Sequence, residues 1–537
     1  MPYVVTQSCC NDASCVYACP VNCIHPTPDE PDFQRAEMLY IDPVACMDCG
    51  ACAEACPTGA IVPHTKLAAD ERIFVDLNAD FYKTQPVGKR PAMAPVPIGG
   101  TVLPEARRLR VAIVGSGPAA LYAADELLAQ PGVRVNVFER LDQPHGLAKH
   151  GVAPDHRGTR QIAGLFDTIA GQPGFEYFLG VTVGRDITHT ELLQHHHAVI
   201  YAVGASADRR LGIPGESLPG SASATDFVAW YNGHPEHRDR QYDLSHERAV
   251  IVGNGNVALD VARILTTDPA GLAGTDIAPH ALAALRESRI REVVVLGRRG
   301  IGQAAFTVPE LIGLRNHTGA DLVVRPSEIP DEPHLDPAAV ADEVGDRTKH
   351  QLVQSLIDRS RRADRRIELR FKVSPVEITG DNAVSAITIE HNDLTVDTLG
   401  QVRSVPTGEH EIIETGMVLR AIGYRGEPVA GLPFYPGLGI IPNETGRVVD
   451  PITGRAVPGA YVAGWIKRGP TGFLGTNKSC SQETVAVLLD DLAKSPELPV
   501  VQGDRALRAL LAQRVPATQG APARSFGASA LARWRRR

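Results

Sequence analysis

The chain has 537 residues and is poor in aromatic side chains, at 5% with three tryptophans. It contains no apolar run near the ~20 residues that a membrane-spanning helix requires. Its start lacks the basic segment and apolar stretch of a secretory leader, so a cytoplasmic location is expected. Lysine and arginine (54) are outnumbered by aspartate and glutamate (62); neither a nucleic-acid partner nor a membrane span is expected. No cysteine occurs between Cys56 and Cys480, and the other eight all precede Cys56. That distribution excludes a chain-wide disulfide framework and points to one local site. Basic residues are scarce in the same place. Residues 1–63 hold eight acids (Asp12, Asp29, Glu30, Asp32, Glu37, Asp42, Asp48, Glu54) against Arg35, so nearly all of the net charge of -8 lies there. The length suffices for two to four domains with cores of their own.

What is present begins with those cysteines. Cys46, Cys49, Cys52 and Cys56, the last followed by Pro57, have the spacing of a bacterial ferredoxin. In that spacing three thiolates wrap one cubane cluster and the fourth crosses to a second. A matching upstream set is therefore required. Cys15 and Cys19, with Pro20, supply its end, and Cys9 stands where its first ligand belongs, but position 12 is Asp12. One cluster thus has four thiolates (Cys19, Cys46, Cys49, Cys52) and is expected to be [4Fe-4S]. The other has three (Cys9, Cys15, Cys56) and is either [3Fe-4S] or a [4Fe-4S] centre with the Asp12 carboxylate on its fourth iron. Cys10 replaces Asp12 as the candidate if the register shifts, whereas Cys23 and Cys480 read as packed thiols. Zinc wants four ligands in two pairs, which seven cysteines in two interlocked sets do not match. A module of this kind is expected to fold around its clusters more than around an apolar core.

Behind it the chain twice repeats a strand, a glycine turn and a helix. In the first unit an apolar run at 111–114 leads into Gly115 and Gly117, with Ala119 and Ala120 opening a helix. Closely spaced glycines let backbone amides approach a pyrophosphate at a helix start. About twenty residues on, Glu139 ends the next strand, where an acid receives ribose hydroxyls. The second unit runs through 249–252 into Gly253, Asn254, Gly255, Asn256, Val257 and Ala258. Its following strand ends in Arg298 and Arg299 instead of an acid, which favours a 2'-phosphate and hence NADP. Two dinucleotides in one chain fit a flavoenzyme that exchanges hydride with a nicotinamide.

Three further stretches carry a resemblance: the irregular loop at 145–156, residues 303–311, and the glycine-rich segment 459–478. With the motifs above they resemble the adrenodoxin reductase family of ferredoxin–NADP reductases, in the form preceded by its own two-cluster bacterial ferredoxin. The resemblance implies FAD contacts at Gly115, Gly117, Ala119, Ala120, Glu139, Leu147, Val183, Trp465, Gly472, Phe473 and Leu474. NADP(H) contacts are implied at Asn254, Gly255, Asn256, Val257, Arg298, Arg299 and Glu310, with His156 and Glu310 as catalytic residues. Lys149 and His150 stand where the family has Arg and Ser. Gly313 stands where some relatives carry a second glutamate, so an ion pair from that position to His156 is not expected. The implied reaction is hydride transfer from NADPH to FAD, then single electrons to the front clusters, a separate ferredoxin or another one-electron acceptor. A basic rim of Lys149, Lys467 and Arg468 is the expected dock for the acidic front. Two other readings share part of the pattern, an electron-input subunit of the glutamate synthase type and a front module that only stores electrons.

The expected fold class is α/β, with two Rossmann-like dinucleotide-binding domains preceded by a small α+β ferredoxin domain. The boundaries are 1–63 for the ferredoxin, 64–107 for a Pro- and Gly-rich linker, 108–205 and 421–495 for the two parts of the FAD domain, and 206–420 for the NADP domain. Residues 496–537 form a tail ending in four arginines, expected to be mobile. The histidines at 195–197 are expected to be a solvated helix end without metal, and a charged helix is expected over 351–366.

Overall fold

Runs of Val and Ile that alternate with helices produce two parallel sheets whose strands are buried on both faces. The computed structural model of the chain describes residues 3–84, 108–317, 319–330, 343–357, 363–398, 400–495, 497–515 and 525–526. In the first sheet, strand Arg110–Val114 lies parallel between Arg134–Glu139 and Ala198–Tyr201. Ala456–Val462, more than 250 residues later, adds in parallel to Ala198–Tyr201. The chain therefore returns to finish a sheet it began at residue 110, and that return sets the segment after Val462 beside Gly115 and Gly117. In the second sheet Arg248–Val252 lies parallel between Glu292–Leu296 and Met417–Arg420. Three antiparallel strands, Val373–Thr379, Ala386–Val396 and Val402–Glu414, form a separate sheet within the same stretch.

The front of the chain pairs Tyr3–Val5 with Ile61–Pro63 and Ile24–His25 with Tyr40–Ile41, both antiparallel, around two short helices, Ser14–Ala18 and Ala51–Ala55. It does not end at residue 63. A helix, Ile73–Thr84, closes over both strand pairs and buries Phe74 and Leu77 with Val4, Val5, Phe33, Met38 and Ile41. Asn78, fully buried, is its polar anchor: the amide nitrogen donates to the Val5 (3.0 Å) and Phe74 (2.8 Å) carbonyls, and the amide oxygen accepts from Ile41 N–H (2.9 Å). The module thus has an apolar core, against the expectation from its cysteines alone. That core is continuous with the one beneath the second parallel sheet. The Pro- and Gly-rich stretch expected as a linker begins only after this helix and lies outside the described residues.

Three other expectations change. Within the tail, helix Asp504–Arg514 packs Leu507 and Leu511 into the first parallel sheet and pairs Arg508 with Glu176 and Arg514 with Glu191. The four terminal arginines lie outside the described residues. His195 and His196 are buried, not solvated: the His196 ring lies 3.2 Å from the Asn136 amide nitrogen and 2.9 Å from the Leu192 carbonyl. The charged helix expected over 351–366 is seen as Glu343–Gln354; residues 358–362 lie outside the described residues, and Arg366 begins strand Arg366–Arg370 of the second sheet.

Candidate functional site

A cavity of about 400 Å³ opens where the two parallel sheets and the cysteine-rich front meet. The first glycine of each repeated unit turns the chain sharply, and Gly115 does so on the cavity wall. Gly115 (φ +99°) and Gly253 (φ +112°) are both left-handed, and a side chain on either would overlap the carbonyl of the neighbouring strand, Ala202 or Ala421. Gly117 and Gly255 follow in extended conformation as N-caps of helices Pro118–Leu128 and Asn256–Thr266, and neither helix has a side-chain cap. A Cβ on Gly117 would meet nothing within 4 Å. Free amides and open space at a helix start suit a pyrophosphate, so the residues fit a bound dinucleotide. Glu139 is buried beside them and accepts from Ser116 N–H (3.1 Å), Ser116 O–H (2.6 Å) and Leu141 N–H (2.9 Å). Across the cavity the Trp465 indole N–H donates to the Thr471 carbonyl (3.1 Å) and its ring packs on Tyr424, which fixes an aromatic wall.

Ala119, Leu147, Gly472, Phe473, Leu474, Asn256, Val257, His156 and Glu310 also line this space; Ala120, Val183, Asn254, Gly255, Arg298 and Arg299 are not on its wall. Ala120 is buried in its helix, where a small residue permits close helix–strand packing. Val183 bridges Ile187 away from the wall. The side chains of Asn254 and Asn256 hold the loop before Glu310: Asn254 accepts from Ala305 N–H (3.4 Å) and Asn256 from Thr307 N–H (2.9 Å). Arg298 is exposed at the end of its strand, and the carbonyls of Arg298 and Arg299 accept from Asn392 and from Lys372 N–H.

His156 and Glu310 are brought together, with partners the motifs did not mark. His156 Nε2 lies 3.4 Å from Asp260 and 3.7 Å from Glu310. Arg263 holds Asp155 through two hydrogen bonds (2.8 and 2.9 Å) and also donates to Asp260. Burial lowers His156 and raises Glu310, while each opposes that shift in the other. Burial also pushes Asp260 up to about 6, against the pull of Arg263. Asp260 and Arg263 stand three apart on one helix face, and that spacing is the only trace of the cluster in the sequence. His150, at the expected departure, is buried on the cavity wall with its ring against His234, and burial and that neighbour push it down to about 3.

The cysteines fall into two groups. Burial lifts Cys9 to about 12 and Cys15 well above the usual thiol range, with Cys56 and Asp12 beside both. Cys52 is likewise pushed up to about 12, with Cys46, Cys19 and Cys49 around it. Buried thiols that resist ionisation in the bare protein are ones that a cationic iron core would compensate, so the donor sets fit clusters. The two loops share one backbone. Asn11 and Ala13 are left-handed (φ 59° and 60°), as are Asp48 and Gly50 (φ 62° and 80°). An amide four residues on donates to Cys19 (3.4 Å) and to Cys56 (3.3 Å). Asp12 therefore occupies the position of Cys49, and Cys10 that of Met47. Cys23 matches Ala60 in this symmetry, and its sulfur lies 3.4 Å from that of Cys19. Cys480 accepts from Gly464 N–H (3.3 Å).

The front seats its first loop on the cavity. Cys9 and Cys10 are part of the wall, and the Cys10 carbonyl accepts from Gly475 N–H (2.7 Å). Lys478 donates to Ser14 (3.0 Å), whose hydroxyl bonds the Asp12 carboxylate. Glu37 accepts from Val308 N–H (2.6 Å) and pairs with Lys349 (2.7 Å). The basic rim expected from sequence does not make this contact: Lys149 donates to Gln143, Lys467 pairs with Glu483, and Arg468 reaches Thr476 and Asn477. Cys49, in the second loop, is exposed.

Residues 109–275 match the family model of the pyridine nucleotide-disulphide oxidoreductases, and residues 39–62, the half with four regular cysteines, match that of the 4Fe-4S binding domain. The chain is 51% identical over 542 residues to a probable ferredoxin/ferredoxin–NADP reductase of Mycobacterium tuberculosis, covering 99% of this chain and 91% of that one. It belongs to the ferredoxin–NADP reductases related to adrenodoxin reductase. A member of that family from Arabidopsis thaliana, the mitochondrial NADPH:adrenodoxin oxidoreductase, is 40% identical over 424 residues, 76% of this chain and 87% of the relative. The solved structure of M. tuberculosis FprA in complex with NADPH superposes with a TM-score of 0.72 at 44% identity, over 76% of this reductase and 91% of FprA. As a member of the family the reductase is an α/β oxidoreductase with an iron–sulfur module at its front. Among the described residues no helix is long and apolar enough to cross a membrane.

Proposed function

We propose that the chain is an NADPH-dependent ferredoxin reductase with its own two-cluster relay. FAD would be held by Gly115, Gly117, Glu139, Leu147 and Trp465 with the 472–474 loop, and NADP(H) by the 254–257 turn, Arg298, Arg299 and Glu310. A flavin held there would supply the chemistry that links the two-electron hydride of NADPH to single-electron transfer toward iron–sulfur clusters and a ferredoxin or another one-electron acceptor. The observation that carries this reading is the shared wall. Cys9 and Cys10 border the same cavity as Gly117 and Trp465, while Cys49 faces solvent. The set Cys9, Cys15 and Cys56 is thus the inner one, and Cys19, Cys46, Cys49 and Cys52 the outer one that meets the acceptor.

The inner set is assigned a [3Fe-4S] cluster and the outer a [4Fe-4S] cluster. Asp12 stands at the fourth ligand position, but its carboxylate is engaged by the Ser14 hydroxyl with Lys478 behind it. A carboxylate already held by the Ser14 hydroxyl and an ion pair with Lys478 is a poor competitor for an iron site that prefers soft sulfur. An anaerobic NADPH titration of the full chain, followed by visible absorption and EPR, tests the assignment. Flavin bleaching followed by reduction of both cluster signals, with a three-iron signal in the oxidised protein, is expected. Flavin that bleaches while both clusters stay oxidised would overturn the relay.

A further inference from the structure

Helix Val308–Asn316 carries Glu310 and is gripped from the iron–sulfur domain at two points. At its start, Glu37 takes the Val308 N–H. Midway, the Gln7 side chain lies over Gly313, where even a methyl group would overlap the Gln7 amide, and Gln7 Nε2 donates to Glu310 Oε2 (3.2 Å). That oxygen is also the one 3.7 Å from His156. The reductase domain's own carboxylate–imidazole pair is therefore finished by a side chain 303 positions earlier in the chain, and Gly313 leaves the space for it. Gly313 lies inside a helix, where glycine costs about 0.5–1 kcal/mol relative to alanine, so its absent side chain has a use there.

We propose that Gln7 is a positioning residue of the nicotinamide site, and that this site is complete only while the iron–sulfur domain is seated on it. The inference rests on the reductase reading above. A neutral amide that donates to Oε2 orients the Glu310 carboxylate and favours its ionised form among the charges that face it. Those are His156, itself flanked by Asp155 and Arg160, Asp260 and Arg263 from helix Asn256–Thr266, and Glu37 with Lys349 at the helix start. Seating thereby couples the electron-accepting module to the residues that receive the nicotinamide.

The test uses the full holoprotein and four forms: unaltered, Gln7→Ala, Gly313→Ala, and both together. NADP⁺ affinity is measured against pH, with amide hydrogen exchange over 308–316 and the rate of flavin reduction by NADPH. Loss of the donated hydrogen bond raises the pKa of Glu310, so the acid limb of both pH profiles should move up by about one unit in Gln7→Ala. Gly313→Ala, which expels the amide, should do the same, and exchange over the helix should quicken in each. The double variant should be no worse than either single one, because alanine fits once Gln7 is shortened. Unmoved pH profiles and exchange in Gln7→Ala would overturn the proposal, as would fully additive effects in the double variant. If the unaltered protein binds no NADP⁺ and its flavin is not reduced by NADPH, the reductase reading itself fails, which is a different result.

Discussion

Asp260 has the most informative titration in the site. Burial raises it to about 6, so it is charged above that pH and neutral below. Its folded pKa lies above the ordinary 3.8, so between about pH 4 and 6 the folded chain keeps a proton that the unfolded chain has shed, and this group's contribution to stability falls as pH rises through the window. Function should run the other way. Only the ionised carboxylate holds Arg263 and the His156 N–H firmly, so flavin reduction by NADPH should drop about tenfold per unit below pH 6. Asp260→Asn should make that limb shallower, leaving the part that Glu310 contributes, in stopped-flow traces between pH 5 and 8; an unchanged limb would remove Asp260 from the site's chemistry. At the inner cysteine set, Asp12→Cys restores the thiolate that the Cys49 loop already has on the same backbone. Iron content should rise from about seven to about eight atoms per chain, read by iron analysis and by loss of the three-iron EPR signal. Eight in the unaltered protein would instead make Asp12 a ligand.

At the scale of elements, helix Ile73–Thr84 decides whether the iron–sulfur domain holds together. Asn78 satisfies backbone groups of two separate strands and of its own helix. Asn78→Ala leaves at least two buried groups unpaired at about 1–3 kcal/mol each. Cluster absorption should be lost at lower temperature than in the unaltered protein while flavin absorption is retained longer. Simultaneous loss of both would show that the front and the reductase unfold as one unit, as their continuous core permits. This helix was hidden in the sequence because it follows a complete cysteine motif and precedes a proline-rich stretch, so nothing local ties Asn78 to strands 37 and 73 positions earlier. By contrast, the strands at 110, 134, 198 and 248 were legible, since each is a short buried apolar run with a glycine or an acid at its end.

For the whole molecule, seating of the front on the reductase is the controlling geometry. Gly475 gives its N–H to Cys10, and a side chain there would overlap the Asn11–Asp12 backbone. Gly475→Val should push the inner loop away, slowing cluster reduction by about tenfold or more relative to flavin reduction. Rapid mixing with NADPH, monitored at flavin and cluster wavelengths, separates the two steps. Unchanged coupling would mean that this contact does not set the electron path. The sequence by itself determined which chemical groups the chain can hold: cysteine spacing, glycine turns and paired arginines are short-range patterns whose geometry follows from covalent reach and backbone conformation. Only the tertiary structure decided which cysteine set is inner, that Lys478 and Lys349 and not Lys149, Lys467 or Arg468 meet the acidic front, and that Gln7 completes the pair of Glu310 and His156. Those contacts join residues 464 positions apart in the case of Ser14 and Lys478. Side chains so distant in sequence share no local pattern, and they meet only because separately folded surfaces fit together.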